Sequence, residues 1–227
     1  MKILKLLLVF VLLVGCSKPQ DKIAKTKKEE KQDPTVSFVA VGDNVMHERL
    51  LIDAKTSNSY DFKPYYENIK PYIQEADLAF INQETVLGGS ASGFPEFSTP
   101  DEMARDLQDV GFDIINGATN HALDKGKNGL LHSIQVFSKY PNLTYIGLYE
   151  SQEKRNHIEI VEKNGIKIAF LSYNQYTNNH MMPNSYCMNL FNEDVIKKDV
   201  KKAKGMSDFV IVSCHWGNEY STKPDSF

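Results

Sequence analysis

The sequence predicts a layered α/β domain, and three patterns along its 227 residues support this fold class. Short runs rich in β-branched and aromatic residues alternate with segments whose apolar residues recur at helical spacing. Several of the apolar runs contain no polar alternation, which is typical of parallel strands buried on both faces. A late Asn-Gly pair between two such runs predicts a hairpin and adds antiparallel pairing.

In the first part of the domain, two predicted strands flank a helix. Residues 35–43 (TVSFVAVGD) form a β-rich run ending near a glycine, which suits a strand buried on both faces. Residues 63–75 place apolar side chains at helical spacing, although Pro71 would kink this helix. Residues 77–84 (DLAFINQE) are the second strand, and the glycine-rich and serine-rich residues 88–100 form a loop.

Helix signals are most complete at residues 99–111. Thr99 is the expected cap, Pro100 suits the first turn, and Gly111 ends the helix. The apolar run at 112–116 (FDIIN) then predicts a strand. The remaining elements are predicted on the same grounds and follow in order: a helix at 128–140, a strand at 143–147, a hairpin at 157–174 around Asn164-Gly165, a helix at 192–205 and a strand at 208–217.

The N-terminus has the pattern of an export signal. A basic start precedes an apolar run from Leu6 to Val14, which is short of the roughly 20 apolar residues that span a membrane. Cys16 follows Leu-Val-Gly, and this resembles the bacterial lipobox, which implies cleavage before Cys16 and lipid on its sulfur. The alternative is an ordinary signal peptide with an incidental cysteine. We therefore expect a signal peptide at 1–16, a flexible charged linker at 17–34 and the α/β domain at 35–227.

Composition limits the partners and the redox chemistry. Net charge is −3 and hydrophobic content is 41%, so the chain lacks the basic excess of a nucleic-acid-binding protein. We expect no nucleic-acid partner. With Cys16 lipidated, Cys187 and Cys214 remain and could pair in an oxidising compartment. The apolar, strand-like surroundings of Cys214 instead favour a buried free thiol.

Polar side chains recur where the predicted strands end. The carboxyl ends of parallel strands share one edge of a sheet, so these side chains should meet there. Carboxylate, imidazole and amide groups together are the ligands of a divalent metal. The residues are Asp43 after the first strand, Asn82 and Glu84 at the second, Asn120 and His121 past the third, and His215 at the last.

Each of these residues also has a structural interpretation when it is taken alone. Asp43 could cap a turn, Glu84 could be a solvated loop charge, and His121 could bond to a neighbouring carbonyl. The coincidence of location favours a site.

Other polar residues near these positions carry less weight. His132 and His157 suit structural or solvent-facing positions. Asp124 suits capping or orienting the turn after His121. His180 lies in an irregular stretch where no pattern places it.

Four motifs resemble the CapA family, the poly-γ-glutamate capsule biosynthesis proteins. They are VGDNVMH, INQET, GFDIINGATNHALDKGKNGL and SCHWGNEY, and they occur in the family's order between about residues 35 and 220. The resemblance implies a calcineurin-like metallophosphoesterase fold, which is a four-layer α/β sandwich with a metal site at its strand ends.

The resemblance also implies roles for individual residues. The implied ligands of a divalent metal (Mn, Zn, Fe or Mg) are Asp43, Glu84, Asn120 and His215. His121 is the implied catalytic residue, acting as general acid or stabilising developing charge. The implied substrate-binding residues are Asn82, Asn44 and His47.

The chain departs from the family pattern in several places. Val45 stands two residues after Asp43, where true metallophosphoesterases have histidine, and Thr119 replaces the first Asn of the family's Asn-Asn-His element. The bridging second aspartate of such enzymes has no clear equivalent, and Glu84 is the candidate for it. The family also continues to a His-x-His pair, and this chain reaches Phe227 without one. We therefore expect a C-terminally truncated domain with a weakened metal site and an exposed apolar surface.

Three functions remain open at this point. The first is a surface lipoprotein of capsule or poly-γ-glutamate biosynthesis and export with a metal-dependent hydrolase site. It would be anchored through Cys16 on the extracytoplasmic face of a bacterial cell membrane. Its partners would be that membrane and an anionic surface polymer or the complex that makes and exports it. The alternatives are a non-catalytic accessory that binds polymer and a general phosphoesterase unrelated to capsule.

Overall fold

Two β-sheets form the centre of the computed structural model, which describes residues 33–223. The first sheet is parallel throughout and has the order β1 (Phe38–Asp43), β2 (Leu78–Asn82), β3 (Ile114–Asn116) and β4 (Thr144–Ile146). The second has the order β5 (Glu159–Lys163), β6 (Ile166–Asn174) and β7 (Phe209–His215). Within it, β6 is antiparallel to β5 and parallel to β7.

Helices connect the strands. They are α1 (Glu48–Asp53), a 3₁₀ helix (Lys63–Tyr66), α2 (Lys70–Glu75), α3 (Glu102–Val110), α4 (Gly126–Phe137), α5 (Gln152–Asn156) and α6 (Glu193–Lys204). Helix α6 begins where the Asn192 side chain accepts a hydrogen bond from the Val195 amide, and it ends at Gly205 as expected.

The apolar side chains divide the described residues into four layers. Phe80 and Ile114 of the first sheet pack against Ile168 and Phe170 of the second, so the two sheets face each other. Helices α1 to α4 cover the other face of the first sheet, and α6 covers the other face of the second through Ala203. Each fully buried Ile, Leu or Phe contributes about 2 kcal/mol to this packing.

The register brings the carboxyl ends of the strands to one edge. Asp43 of β1 lies opposite Asn82 of β2, and Asn82 lies opposite Asn116 of β3. A bulge between Val41 and Asp43 gives β1 one extra residue, which sets Asp43 beside Asn82. In the second sheet, β6 and β7 also run parallel and end together. Both sheets therefore present polar strand ends at the same end of the sandwich.

Several sequence predictions differ from the structure in detail. The helix predicted at 63–75 is two helices, and Pro71 lies in the first turn of the second one. Thr99 does not cap α3; its hydroxyl lies 2.6 Å from that of Thr85, and Asp101 is the residue before the helix. Helices α1 and α5 were not predicted, because both are too short to show a helical period.

The prediction of a first strand buried on both faces is wrong. Within residues 33–223, β1 pairs only with β2 and β7 pairs only with β6, so both are edge strands. Phe38 and Phe209 are exposed as a result. The expected burial of the Cys214 thiol is also wrong, since Cys214 is exposed on β7. Cys187 is buried, and both thiols are free.

The predicted signal peptide, its Cys16 and nearly all of the linker lie outside the described residues. Among residues 33–223, no helix has the length and the apolar character needed to cross a membrane.

The buried carboxylate of Asp199 generates a stability prediction. It accepts hydrogen bonds from Arg155 at 2.8 Å and from the Tyr173 hydroxyl at 3.1 Å, joining α5, α6 and β6. Asp199→Ala leaves a guanidinium and a hydroxyl without their acceptor, so we expect a loss of about 3 kcal/mol in the free energy of urea unfolding. Lys197→Ala, which removes an exposed pair with Glu193 on the same helix, should cost under about 0.5 kcal/mol. Equal losses in the two variants would contradict this account of α6.

Candidate metal centre

Three side chains with metal-ligating atoms meet at the polar end of the sandwich. Asp43 ends β1, Glu84 follows β2 by two residues, and His215 ends β7. One ligand atom from each lies within 4.8 Å of the other two. The predicted convergence of separate strand ends is therefore present for these three residues, and we call this group the acidic cluster.

The side-chain amide of Asn82 holds two members of the acidic cluster in place. Its nitrogen lies 2.6 Å from Oδ1 of Asp43 and 3.2 Å from Nδ1 of His215. Its oxygen accepts a hydrogen bond from the Asn116 amide at 2.6 Å. Asn116 in turn accepts a hydrogen bond from the Ser172 hydroxyl on β6. This buried chain of polar groups runs from one sheet to the other.

The hydrogen bonds of His215 determine which of its ring nitrogens carries the proton. Nε2 donates to the amide oxygen of Asn120 at 2.8 Å, so Nδ1 is unprotonated and faces Asp43 at 3.6 Å. Burial lowers the pKa of His215, which favours the neutral imidazole that metals bind. Because the Asn120 oxygen is engaged by His215, Asn120 orients this histidine in the structure.

Glu84 is the electrostatically unfavourable member of the acidic cluster. Burial, and then the neighbouring charge of Asp43, raise the pKa of its carboxyl to about 7. Two carboxylates and a neutral imidazole facing one another attract a positive charge, and they are suitable ligands for a divalent cation. The residues present therefore fit the divalent metal that the sequence predicted, without fixing its identity.

His121 lies beside the acidic cluster and is held by Asp124. Its Nδ1 is 2.7 Å from Oδ2 of Asp124, and its Nε2 is 3.9 Å from Oε1 of Glu84. Asp124 is buried and also accepts a hydrogen bond from the Phe97 amide at 2.7 Å. The expectation that Asp124 caps the following turn is thus replaced by a direct contact that directs His121 Nε2 toward Glu84.

The segment before His121 is tied to the segment that carries Glu84. The Thr119 hydroxyl donates to the Glu84 carbonyl at 2.7 Å and lies 3.2 Å from the His121 amide, which donates to it. Ala122 and Leu123 then anchor the turn in the apolar core. The threonine that departs from the family pattern therefore joins two parts of the site.

The other predicted substrate-binding residues lie in different surroundings. The Asn44 side chain turns into the core, where it donates to Gln83 at 2.6 Å and accepts from Tyr66 at 2.9 Å. The structure does not bring this side chain to the acidic cluster. His47 is exposed, and its ring contacts Phe97, which contacts His121 in turn. His47 thus lies one aromatic ring away from His121.

Sequence reasoning missed three residues that contact the site. Asn116 ends the strand FDIIN, so the rule that selected the other strand ends could have found it. The partnership of Asp124 with His121 follows from a turn geometry that the sequence does not reveal. Asn178 comes from an irregular loop without any signal, yet its side chain contacts both Asn120 and His121.

Comparison with known proteins supports the capsule resemblance. The family described as "Bacterial capsule synthesis protein PGA_cap" matches residues 37–227. Capsule biosynthesis protein CapA of Bacillus anthracis is 27% identical, over 96% of this chain and 55% of that protein. PGA biosynthesis protein CapA of Bacillus subtilis (strain 168) is 25% identical, over 85% of this chain and 52% of that protein. The chain thus spans about half the length of these relatives.

A solved structure confirms the fold class. The calcineurin-like phosphoesterase YfkN from Bacillus subtilis aligns with a TM-score of 0.50 over 83% of this chain and 64% of that chain. Sequence identity is only 14%, so the likeness concerns the fold alone. The predicted metallophosphoesterase-like α/β sandwich is confirmed.

The raised pKa of Glu84 predicts how the metal-free protein responds to pH. In the folded protein the Glu84 carboxyl keeps its proton up to about pH 7, whereas a glutamate in the unfolded chain loses its proton at about pH 4.3. The stability from this group is therefore complete below about pH 4.3 and is lost as pH rises through about 7. We expect Glu84→Gln, in EDTA, to change the free energy of unfolding relative to wild type more favourably at pH 8 than at pH 5. The difference should be on the order of 2 kcal/mol, measured by urea unfolding at the two pH values. A pH-independent difference would show that Glu84 titrates normally.

Proposed function

Because the chain belongs to the bacterial capsule synthesis protein family, we propose that it acts in the synthesis of a surface polymer through a metal-dependent hydrolase site. The observation that carries the hydrolase part is the acidic cluster with His121 beside it. Three ligand residues converge there, and a histidine oriented by a buried carboxylate points its Nε2 toward Glu84. A carboxyl with a raised pKa, here Glu84, beside an oriented imidazole is typical of catalytic sites.

Asp43, Glu84 and His215 would hold the cation, and Asn120 and Asn82 would keep the His215 ring and the Asp43 carboxylate in position. The chemistry that a divalent cation supplies is the activation of water and the polarisation of a phosphoryl or acyl oxygen. Glu84 would have to be deprotonated to serve as a ligand, so cation binding at this cluster would be coupled to the loss of its proton.

His121 is suited to proton transfer at the reacting group. Asp124 occupies its Nδ1, which fixes the ring and leaves Nε2 as the atom that faces the acidic cluster. A protonated Nε2 donates to a leaving group or stabilises negative charge as it develops on the substrate. The bond that this arrangement suits is a phosphoester or an amide of the polymer.

The names of the relatives suggest the polymer. Both Bacillus proteins are called CapA, and one is named for PGA biosynthesis. We extend this to poly-γ-glutamate or a similar anionic surface polymer, handled by a protein anchored through lipid on Cys16 at the outer face of a bacterial membrane. The export signal in residues 1–16 supports this location. The partners would be the membrane and the complex that makes and exports the polymer.

A metal-binding and hydrolysis assay tests the site. The whole chain, purified without chelator, should bind about one Mn²⁺ or Zn²⁺, measured by elemental analysis. With Mn²⁺ it should hydrolyse bis-p-nitrophenyl phosphate or release glutamate from poly-γ-glutamate. His121→Ala should lower kcat by about 100-fold or more with the metal retained, because only proton transfer is removed. His215→Ala should lose both metal and activity.

His157→Ala is the matched control, since His157 is an exposed histidine paired loosely with Glu159 at 3.8 Å. It should change neither property. Metal binding without hydrolysis of either substrate would favour a non-catalytic accessory protein that binds polymer. Absence of metal from the wild-type protein would overturn the hydrolase proposal.

The membrane anchor has its own test. Cys16→Ser in the full chain, expressed in a Gram-positive host, should move the protein from the membrane fraction to the medium, because one thioether-linked lipid anchor is lost. Mass spectrometry of the wild-type N-terminus should find lipid on Cys16. Membrane association that survives Cys16→Ser would show that another segment anchors the protein.

A further inference from the structure

A tight turn at residues 177–180 (Thr-Asn-Asn-His) brings a second histidine to the site. The His180 amide donates to the Thr177 carbonyl at 2.8 Å, and the Thr177 hydroxyl donates to the His180 carbonyl at 2.7 Å. Asn178 and Asn179 between them have φ of 48° and 65°. Two successive residues at positive φ define a type I′ turn, a backbone that asparagine tolerates better than most residues. The Thr-Asn-Asn-His sequence thus accounts for the backbone conformation of this turn.

The turn places Asn178 against the two residues at the centre of the site. Its oxygen accepts a hydrogen bond from Asn120 at 3.2 Å. Its nitrogen is nearly equidistant from the two ring nitrogens of His121, at 3.2 and 3.5 Å, so the amide lies over the face of the ring. Asn178 therefore covers the side of His121 while Asp124 holds its edge.

Asp124 has one oxygen that the described residues leave without a hydrogen bond. Its Oδ2 serves His121 and the Phe97 amide, but its Oδ1 has no hydrogen-bond partner within residues 33–223. The side chain is only 1% exposed, so water does not easily supply the missing donor. A buried acceptor without a donor is costly, and its neighbours are expected to satisfy it.

His180 is the side chain positioned to supply that donor. Its Nε2 lies 3.6 Å from Oδ1 of Asp124, just beyond hydrogen-bond distance, and the side chain is 31% exposed. A shift of less than 1 Å would complete the hydrogen bond. The Asp124 carboxylate would then be held on both oxygens, by His121 on one side and His180 on the other.

We propose that His180 is a positioning residue of the site, which donates from Nε2 to Oδ1 of Asp124 and thereby fixes the carboxylate that orients His121. The His180–Asp124 contact is inferred from the geometry around Asp124 alone. Its effect on kcat rests in addition on the proposed hydrolase function. His180 thus belongs to the site although it lies 59 residues from His121 in the chain.

Two substitutions that differ by one methylene group test this role. His180→Gln keeps an N–H donor at the position of Nε2, and His180→Asn carries the same amide but stops short of it. With Mn²⁺ and bis-p-nitrophenyl phosphate, His180→Asn should lower kcat about 10-fold with KM within about 2-fold, because a supporting contact to a catalytic group is lost. His180→Gln should retain most of the wild-type kcat.

A spectroscopic measurement on the metal-free protein does not depend on hydrolysis. The Nδ1 proton of His121, shared with Asp124, should give a low-field ¹H NMR signal that His121→Ala removes. This signal should broaden through faster exchange with water in His180→Asn, and it should stay sharp in His180→Gln and in the His157→Ala control.

The outcomes separate the two proposals. If wild-type protein lacks hydrolysis but the signal responds to His180→Asn and not to His180→Gln, the positioning role stands and the hydrolase function fails. If the protein hydrolyses phosphodiesters and the Asn and Gln variants match in both kcat and signal, the positioning role is overturned. Equal urea midpoints for the two variants would show that neither result reflects a difference in folding.

Discussion

The side-chain amide of Asn82 is the contact on which the site depends. An amide both donates and accepts, so at a single position it bonds to Asp43 and His215 through nitrogen and to Asn116 through oxygen. An aspartate there would have no donor for Asp43 and would add a third negative charge beside Glu84. Because buried polar groups must find partners, this one side chain ties the ends of β1, β3 and β7 to the end of β2.

Four ionisable groups of the site have different roles because their electrostatic surroundings differ. They are Asp43, Glu84, Asp124 and His121. The Glu84 and Asp43 carboxylates repel each other when both are charged. The repulsion helps to keep a proton on Glu84 and favours a cation between the two groups. Asp124 is more deeply buried than either, and His121 and a backbone amide satisfy one of its oxygens, so this carboxylate orients His121. The carboxylates therefore differ in role because their partners differ, and residue type alone would not distinguish them.

The sequence allowed the acidic cluster to be predicted because the rule behind it is topological. Parallel strands end at one edge whatever their lengths, so errors of a few residues at the strand boundaries left Asp43, Glu84 and His215 together. The pairing of Asp124 with His121 and the contacts of Asn178 and His180 depend on turn geometry and long loops, which no periodicity encodes. The sequence predicted Asn44 at the site, but its side chain lies in the core, because adjacent residues at a strand end point in opposite directions.

The origin of the three ligands in two different sheets links cation binding to tertiary structure. Asp43 and Glu84 belong to the first sheet and His215 to the second, so a cation held by all three binds only when the sheets are docked. Its binding free energy then counts toward docking, much as a cross-link would. In the described residues, β1 and β7 are edge strands whose outer hydrogen-bonding groups lack strand partners. These two strands would be stabilised most by a cation that joins the sheets. Metal depletion should therefore first expose this flank to proteases and to edge-to-edge association.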